Sequence, residues 1–313
     1  MPFWNILITD GLSAPGQEIL RAAAQVDDRK GISPQELLDC IQAYDALIVR
    51  SRTRVTSQLL ENASRLRVVG RAGVGVDNID LQAARAKGIT VLNTPTSTSI
   101  AVAEHTLALM LSLSRAIPRA DSGMKSGEWL KNALTGVELY QKTLGIIGLG
   151  HIGVEVARRA AALGMSVVAY DPLLSLNDIH LRGAEPVPLS ELFSRSDFIS
   201  IHVPLTGDTR GMIGAEAISQ MKPGVRLICD ARGGVIDEDA LLSALHSGQV
   251  AGAALDVFSQ EPPGETELVR HPSVIATPHI GAQTFEAQQR AAVDIASEIL
   301  AALKGEGLRW EVG

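Results

Sequence analysis

The sequence predicts an α/β protein of two doubly wound parallel-sheet domains, with the terminal helix returning to the first. Three observations predict it. Short apolar runs alternate with helical runs along nearly the whole chain, the pattern of βαβ units. One strand near the middle runs into a glycine turn and a helix, as a new sheet begins. The last helical run, residues 286–303, has no strand after it. The expected boundaries are 1–98 with 284–313 for the first domain and 99–283 for the second.

Four strands are expected in the first domain. Residues 5–9 form a short apolar strand broken by Asp10-Gly11, and residues 17–24 have helical spacing. Residues 45–50 are a second strand, followed by a helical run over 55–62. Residues 66–70 are a third, 80–87 a helix stopped by Gly88, and 90–92 a fourth. Residues 93–99 are rich in turn and capping types and read as the crossing between domains. A long buried helix over 99–116 follows. The second domain begins with the strand at Thr143 and continues through strands at 166–170, 198–202, 226–229, 251–255 and 274–277. Helical runs at 189–194, 215–221 and 237–247 lie between them.

Composition narrows the function. A chain of 313 residues, 46% hydrophobic, suffices for two cores. The net charge of −7 argues against nucleic-acid or anionic-membrane partners, and an anionic substrate would need a local basic cluster. Cys40 and Cys229 lie on unrelated segments without metal-ligand spacing, so no metal is expected and a reducing cytoplasm suits them. Residues 1–5 lack the basic region and apolar core of a signal peptide, which also points to the cytoplasm. The most apolar run, 100–113, is short and interrupted by Glu104 and His105, unlike a membrane span.

Residues 143–153 carry the strongest motif. Gly148, Gly150 and Gly153 fall at the G-x-G-x-x-G spacing: a tight turn, a close approach for pyrophosphate, and close helix–strand packing. The phosphates would sit on free N–H groups at the start of the helix, around His151 and Ile152. A helical run to Leu163 is closed by Gly164, and the next strand ends at Asp171. That acid lies about twenty residues past the turn, where a carboxylate accepts hydrogen bonds from ribose hydroxyls. It would repel a 2′-phosphate, and no Arg or Lys occurs in 172–175, so NAD is favoured over NADP. The second domain is therefore read as a Rossmann NAD-binding domain. A second glycine cluster, residues 70–75, has the wrong spacing but could present N–H groups to an anion.

Three loops at second-domain strand ends carry candidate chemistry, at the edge where open α/β sheets bind ligands. Arg232, between Ala231 and Gly233, could clamp a carboxylate with two parallel hydrogen bonds. Glu261 is fixed by Pro262 and Pro263 and could orient a histidine. His279, between Pro278 and Gly281, suits proton transfer at neutral pH. Alone, each also reads as a solvated loop residue. His202 at a strand end is the main rival base, while His105 and His271 read as helix-surface and loop residues.

An arginine, a glutamate, a histidine and a dinucleotide fold make a hydride-transfer site for a 2-hydroxy or 2-oxo acid. The chain resembles the D-isomer-specific 2-hydroxyacid dehydrogenases over nearly its whole length. The resemblance rests on residues 70–78, Asn93-Thr94-Pro95, the glycine turn, residues 231–234, residues 254–258 through Glu261-Pro262, and residues 277–281. It implies a catalytic trio of Arg232, Glu261 and His279, a return of the terminal helix, and a homodimer formed through the nucleotide domains, or a higher homo-oligomer. NAD contacts are also expected at Val74, Val203, Pro204, Asp230 and Ala231. Asp256 is expected on the nicotinamide side, and further cofactor contacts are expected at Arg232, His279, Gly281 and Ala282.

The implied substrate is a small anionic 2-hydroxy acid. Its carboxylate would lie on Arg232 and the N–H groups near Gly73 and Val74. Oxidation of D-3-phosphoglycerate to 3-phosphohydroxypyruvate, feeding serine biosynthesis, is the leading expectation, with Arg50, Arg71 and Lys131 as phosphate ligands. Arg52 and Arg54 are weaker candidates. Glyoxylate, hydroxypyruvate or sulfolactate are alternative acids, and an NAD(H)-sensing corepressor-like module is the alternative outside catalysis. Two residues depart from the family's pattern. Thr98 stands where asparagine is usual, and Asp230 where a small neutral or thiol side chain is usual.

Overall fold

The computed structural model describes residues 4–312. The chain divides into two compact units, Met1–Ser99 with Ala282–Gly313, and Ile100–Gly281.

The first unit holds five parallel strands: β1 (Trp4–Ile8), β2 (Ala24–Asp28), β3 (Ala46–Val49), β4 (Val68–Arg71) and β5 (Thr90–Leu92), in the order β2-β1-β3-β4-β5. Helices α1 (Ala14–Arg21), α2 (Pro34–Cys40), α3 (Ser57–Asn62) and α4 (Leu81–Ala86) connect them. Strand alternation splits the core into two faces. Leu7, Leu47, Val49 and Val69 pack with Leu59 and Leu60 on one. Ile6, Ile8, Ile48 and Val68 face the terminal helix, Phe285–Lys304, through its Ala291, Ile295, Ile299 and Leu303 on the other. Gly70 lets that helix close down on β4, since a Cβ there would lie 2.8 Å from Ile295.

The second unit opens with α5 (Ser99–Arg115) and α6 (Ile117–Lys125), bent by 64° at Ala116, whose φ is 50°. Among the described residues, no single helix is long and apolar enough to cross a membrane. Seven parallel strands follow: β6 (Thr143–Ile147), β7 (Ser166–Tyr170), β8 (Glu185–Pro186), β9 (Phe198–Ile201), β10 (Val225–Cys229), β11 (Val250–Leu255) and β12 (Val274–Ala276). The helices between them are α7 (His151–Ala162), α8 (Leu176–Leu181), α9 (Leu189–Arg195), α10 (Ala215–Ser219), α11 (Glu238–Ser247) and α12 (Glu267–Arg270); the terminal helix is α13. The strand order is β12-β11-β10-β9-β6-β7-β8. The chain winds outward from β6 to β8, then returns to β9 on the other side of β6. That reversal makes a topological switch point between β6 and β9.

The two parallel-sheet domains and the returning helix match the expectation, but each sheet has one strand more than expected. The run read as helical to Ala24 stops at Arg21, and Ala24 opens the edge strand β2. Gln25, Asp27 and Asp28 make that strand too polar to read as one. Strand β8 has only two residues. Helix α2 also escaped the reading, although Ser33 and Glu36 cap it reciprocally. The long helix ends one residue early, and α6 follows it as a separate element.

Asp10, just after β1, shapes the loop after β3. Its carboxylate accepts from the backbone N–H groups of Arg50 at 2.7 Å and Thr53 at 3.1 Å, from Thr53 Oγ1 at 2.6 Å and from Arg52 Nε at 3.2 Å. Burial alone would raise its pKa, but these bonds, led by Thr53 and Arg50, outweigh it and hold the carboxyl below its usual range. A lowered folded-state pKa contributes stability that is full above the unfolded value and is lost as pH falls through the folded one. Asp10→Asn should therefore be less stable than wild type at pH 7. The gap should narrow as pH drops below about 4, in urea denaturation compared across pH. A gap independent of pH would remove the carboxylate's charge from this role.

Candidate active site

The glycine turn lies beside the switch point. Gly148 has φ 90°, and a Cβ there would lie 2.8 Å from the His202 carbonyl oxygen. A Cβ on Gly153 would collide with the Gly148 carbonyl, so α7 packs against the turn only through glycine. At Gly150 a Cβ would meet nothing within 4 Å. That open side, with the unpaired amides of the first turn of α7 at His151 and Ile152, fits a pyrophosphate approaching the backbone. Asp171 follows β7. Its Oδ2 accepts from Leu149 N at 2.9 Å and its Oδ1 from Leu173 N at 3.0 Å, so the acid is locked to the turn. Sequence reading missed Arg182, just past α8, whose Nη1 donates to the Leu149 carbonyl at 2.7 Å. Thirty-three residues separate the partners, so only the fold brings this base to the turn.

On the other side of the switch point, β10, β11 and β12 deliver the three chemical candidates. Arg232 is half-buried after β10, with Nη1 donating to the Ala231 carbonyl at 2.6 Å. A Cβ on Gly233 would collide with the Phe258 carbonyl, so this loop and the one after β11 press backbone to backbone. In the second loop, Glu261 Oε1 accepts from Phe258 N at 3.3 Å, and Oε2 lies 2.8 Å from His279 Nδ1. The pair is half-exposed. With Nδ1 turned to the carboxylate, Nε2 is the ring atom available to a substrate.

Asp256, nearly fully buried, holds the turn that carries His279. Its Oδ1 accepts from Thr277 Oγ1 at 2.6 Å and Ile280 N at 2.9 Å, and its Oδ2 from Gly281 N at 2.8 Å. Its carbonyl accepts from His279 N at 2.9 Å. These bonds sustain a φ of 53° at His279, a left-handed conformation that a histidine rarely adopts.

The remaining histidines separate clearly. His202 Nε2 lies 2.7 Å from Ser200 Oγ, and burial lowers the imidazole's pKa to about 4. It is a neutral, enclosed group, flanked by Val203 and Pro204 on the segment packed against Gly148. His105 is half-buried, not at the helix surface as its place in α5 suggested. It lies 3.3 Å from Asp230 Oδ2, which also accepts from Thr106 Oγ1 at 2.9 Å. The unusual acid at 230 thus has partners on α5, and its side chain is turned into the protein.

The expected phosphate ligands divide between the units. Arg50 follows β3 and Arg71 ends β4, both at C-terminal strand ends of the first unit. Arg50 Nη2 donates to Gln283 Oε1 at 3.5 Å. The Arg71 guanidinium lies over Gly73, where a Cβ would collide with it. Asn93 Nδ2 donates to the Val74 carbonyl at 2.6 Å, and Thr94 N to the Gly73 carbonyl at 2.9 Å, fixing that glycine loop. Arg52 is committed to Asp10 and to the Thr9 carbonyl. Lys131 is exposed on a short turn of the second unit, and Ala282 begins the return segment of the first.

Comparison with known proteins agrees with this geometry. Residues 107–281 match the family model "D-isomer specific 2-hydroxyacid dehydrogenase, NAD binding domain". A D-3-phosphoglycerate dehydrogenase from Synechocystis sp. is 47% identical over 301 residues, 96% of this chain and 54% of the relative. The chain spans about half the length of the curated relatives it matches. A glyoxylate reductase from Paecilomyes thermophila superposes with a TM-score of 0.91 at 30% identity, covering 100% of this chain and 99% of that one. A D-lactate dehydrogenase from Aquifex aeolicus, complexed with NAD and lactic acid, gives a TM-score of 0.83 at 33% identity, covering 96% of both. The glycine turn, the strand-end acid and the family match together place the chain among the D-isomer specific 2-hydroxyacid dehydrogenases, with Ile100–Gly281 as its NAD-binding unit.

Proposed function

We propose that the chain catalyses NAD-dependent oxidation of D-3-phosphoglycerate to 3-phosphohydroxypyruvate, in a reducing cytoplasm. The observation that carries the chemistry is the 2.8 Å His279–Glu261 pair, on the same strand ends as Arg232. The substrate assignment rests on relatives about 47% identical over nearly all of this chain. Both cysteines are free, in keeping with the compartment.

In this reading bound NAD supplies the hydride acceptor. Arg232 holds the substrate carboxylate and orients C2. His279 Nε2 takes the C2 hydroxyl proton as the C2 hydrogen departs with its electron pair, leaving a carbonyl. Glu261 stabilises the imidazolium that results. In the reverse direction the same imidazolium returns its proton to the keto oxygen. Asp256 acts through the turn, holding His279 in place. Arg50 and Arg71 supply positive charge for the phosphate.

The exposed apolar residues of the second unit support a homodimer. Ile117, Met124, Trp129 and Tyr140, each more than half exposed, follow one another along α6 and the segment to β6. Burying such a set between copies is strongly favourable. Sedimentation equilibrium should give twice the chain mass, and Trp129→Glu with Met124→Glu should give the monomer. A monomeric wild type excludes the homodimer.

His279→Ala should lower turnover by about 10²–10⁴, the usual worth of positioned proton transfer, with NAD affinity retained. Near-normal turnover, with His202→Ala inactive, would transfer the role to His202. Arg50→Ala and Arg71→Ala should each raise KM for 3-phosphoglycerate, more at low salt than at high, and change KM for glyoxylate much less. Equal losses on the two acids would refute the phosphate assignment.

A further inference from the structure

Three groups that the proposed reaction does not use directly lie together at the ends of β10 and β11. The Asp230 side chain is fully buried. Its Oδ2 faces Thr106 and His105, and its Oδ1 is buried without a hydrogen-bond partner. A Cβ added to Gly281 would lie 3.2 Å from Asp256 Oδ2 and 3.6 Å from His105 Nδ1. The His105 imidazole therefore stands close to two buried carboxylates, in space that a side chain at 281 would crowd.

Two carboxylates in a dry site need a counter-charge. Burial disfavours the imidazolium, but the hydrogen bond and charge of Asp230, with a smaller contribution from Asp256, outweigh it and raise the His105 pKa. Burial likewise raises the Asp230 carboxyl. Both shifts favour keeping a proton in the cluster. Thr106 beside it is neutral, and Glu104 turns away to Arg159 of α7, 3.7 Å distant. Arg232 follows β10 and His279 follows β12 at the same sheet edge.

The place of the cluster gives it a consequence. Asp171, just after β7, would hold the adenosine ribose on one side of the switch point. The strand ends of β10 and β11, on its other side, would then face the nicotinamide end of a bound dinucleotide. The oxidised nicotinamide ring is positively charged, and the reduced ring is neutral. We propose that His105 and Asp230 form a charge-setting pair that tunes the site's preference between oxidised and reduced cofactor. With the shared proton present the pair is neutral. Without it, an extra negative charge at these strand ends favours the oxidised form.

The proposal rests on NAD binding by this unit, and its test separates the two. His279→Gln removes the half-exposed imidazole at this sheet edge. In that protein, affinities for NAD⁺ and NADH are measured by isothermal titration calorimetry from about pH 6.5 to about pH 9. The preference for NAD⁺ over NADH should rise about three- to tenfold with pH, the size expected of one partly screened charge a few ångströms away. Adding Asp230→Asn should flatten the curve. Should that variant not fold, proton release on NAD⁺ binding but not on NADH binding, read in buffers of different ionisation heat, supports the pair in the parent protein alone. Binding of both forms with a ratio independent of pH, or a slope that survives Asp230→Asn, overturns the proposal and leaves the cofactor reading intact. Failure to bind either form overturns both.

Discussion

The active edge of the second unit depends on one buried carboxylate. Asp256 follows β11 and accepts a hydroxyl and two backbone N–H groups from the segment after β12, while its carbonyl takes the His279 amide. Each bond satisfies a donor that burial would otherwise strand. Together they sustain a backbone conformation at His279 that costs energy on its own. The imidazole owes its direction to this anchor, and Glu261 can meet it at 2.8 Å only because the direction is set. Neutralising Asp256 would leave every chemical group present and remove the geometry that makes them a site.

Glycine does comparable work where backbones meet. Gly233 lets the arginine loop touch the loop after β11, and Gly153 lets α7 touch the turn before it. In both places a methyl group would collide with a carbonyl oxygen. The parallel sheet supplies the larger constraint. Every strand of the second unit ends on the same edge, so loops distant in sequence converge there. The switch point between β6 and β9 parts two of them, and the glycine turn beside it is open at Gly150, where a Cβ would meet nothing within 4 Å.

Much of this was legible in the sequence because the chemistry occupies strand ends. A strand end is a register position, and Asp171, Arg232 and His279 each follow a clear apolar run. The glycine spacing was legible because sterics allow few alternatives. Polar edge strands were not. In β2, only Ala24 and Val26 are apolar among five residues, too few to show the period of two against the helical run before them. Strand β8 is too short to show a period at all. Pairings across the fold were also hidden. Arg182 reaches Leu149 over 33 residues, and His105 reaches Asp230 over 125, with no local pattern to announce either. Asp230 looked anomalous in the sequence because its partners lie on a helix that precedes the sheet.

The unit thus contains two pairs of one composition, a histidine with an acid, whose surroundings set opposite duties. His279 and Glu261 are half-exposed, and water remains to solvate either protonation state. Such a pair can exchange a proton with a substrate and with solvent at modest cost, as an acid–base catalyst must. Asp230 is enclosed and His105 half-buried, with a second carboxylate near and one Asp230 oxygen lacking any partner. There a lost proton leaves a charge that the protein cannot hydrate, and the nearest relief is a cation brought by a ligand. In the proposed reaction the first pair moves a proton during turnover. The second holds one, and the field it sets depends on whether that proton is present.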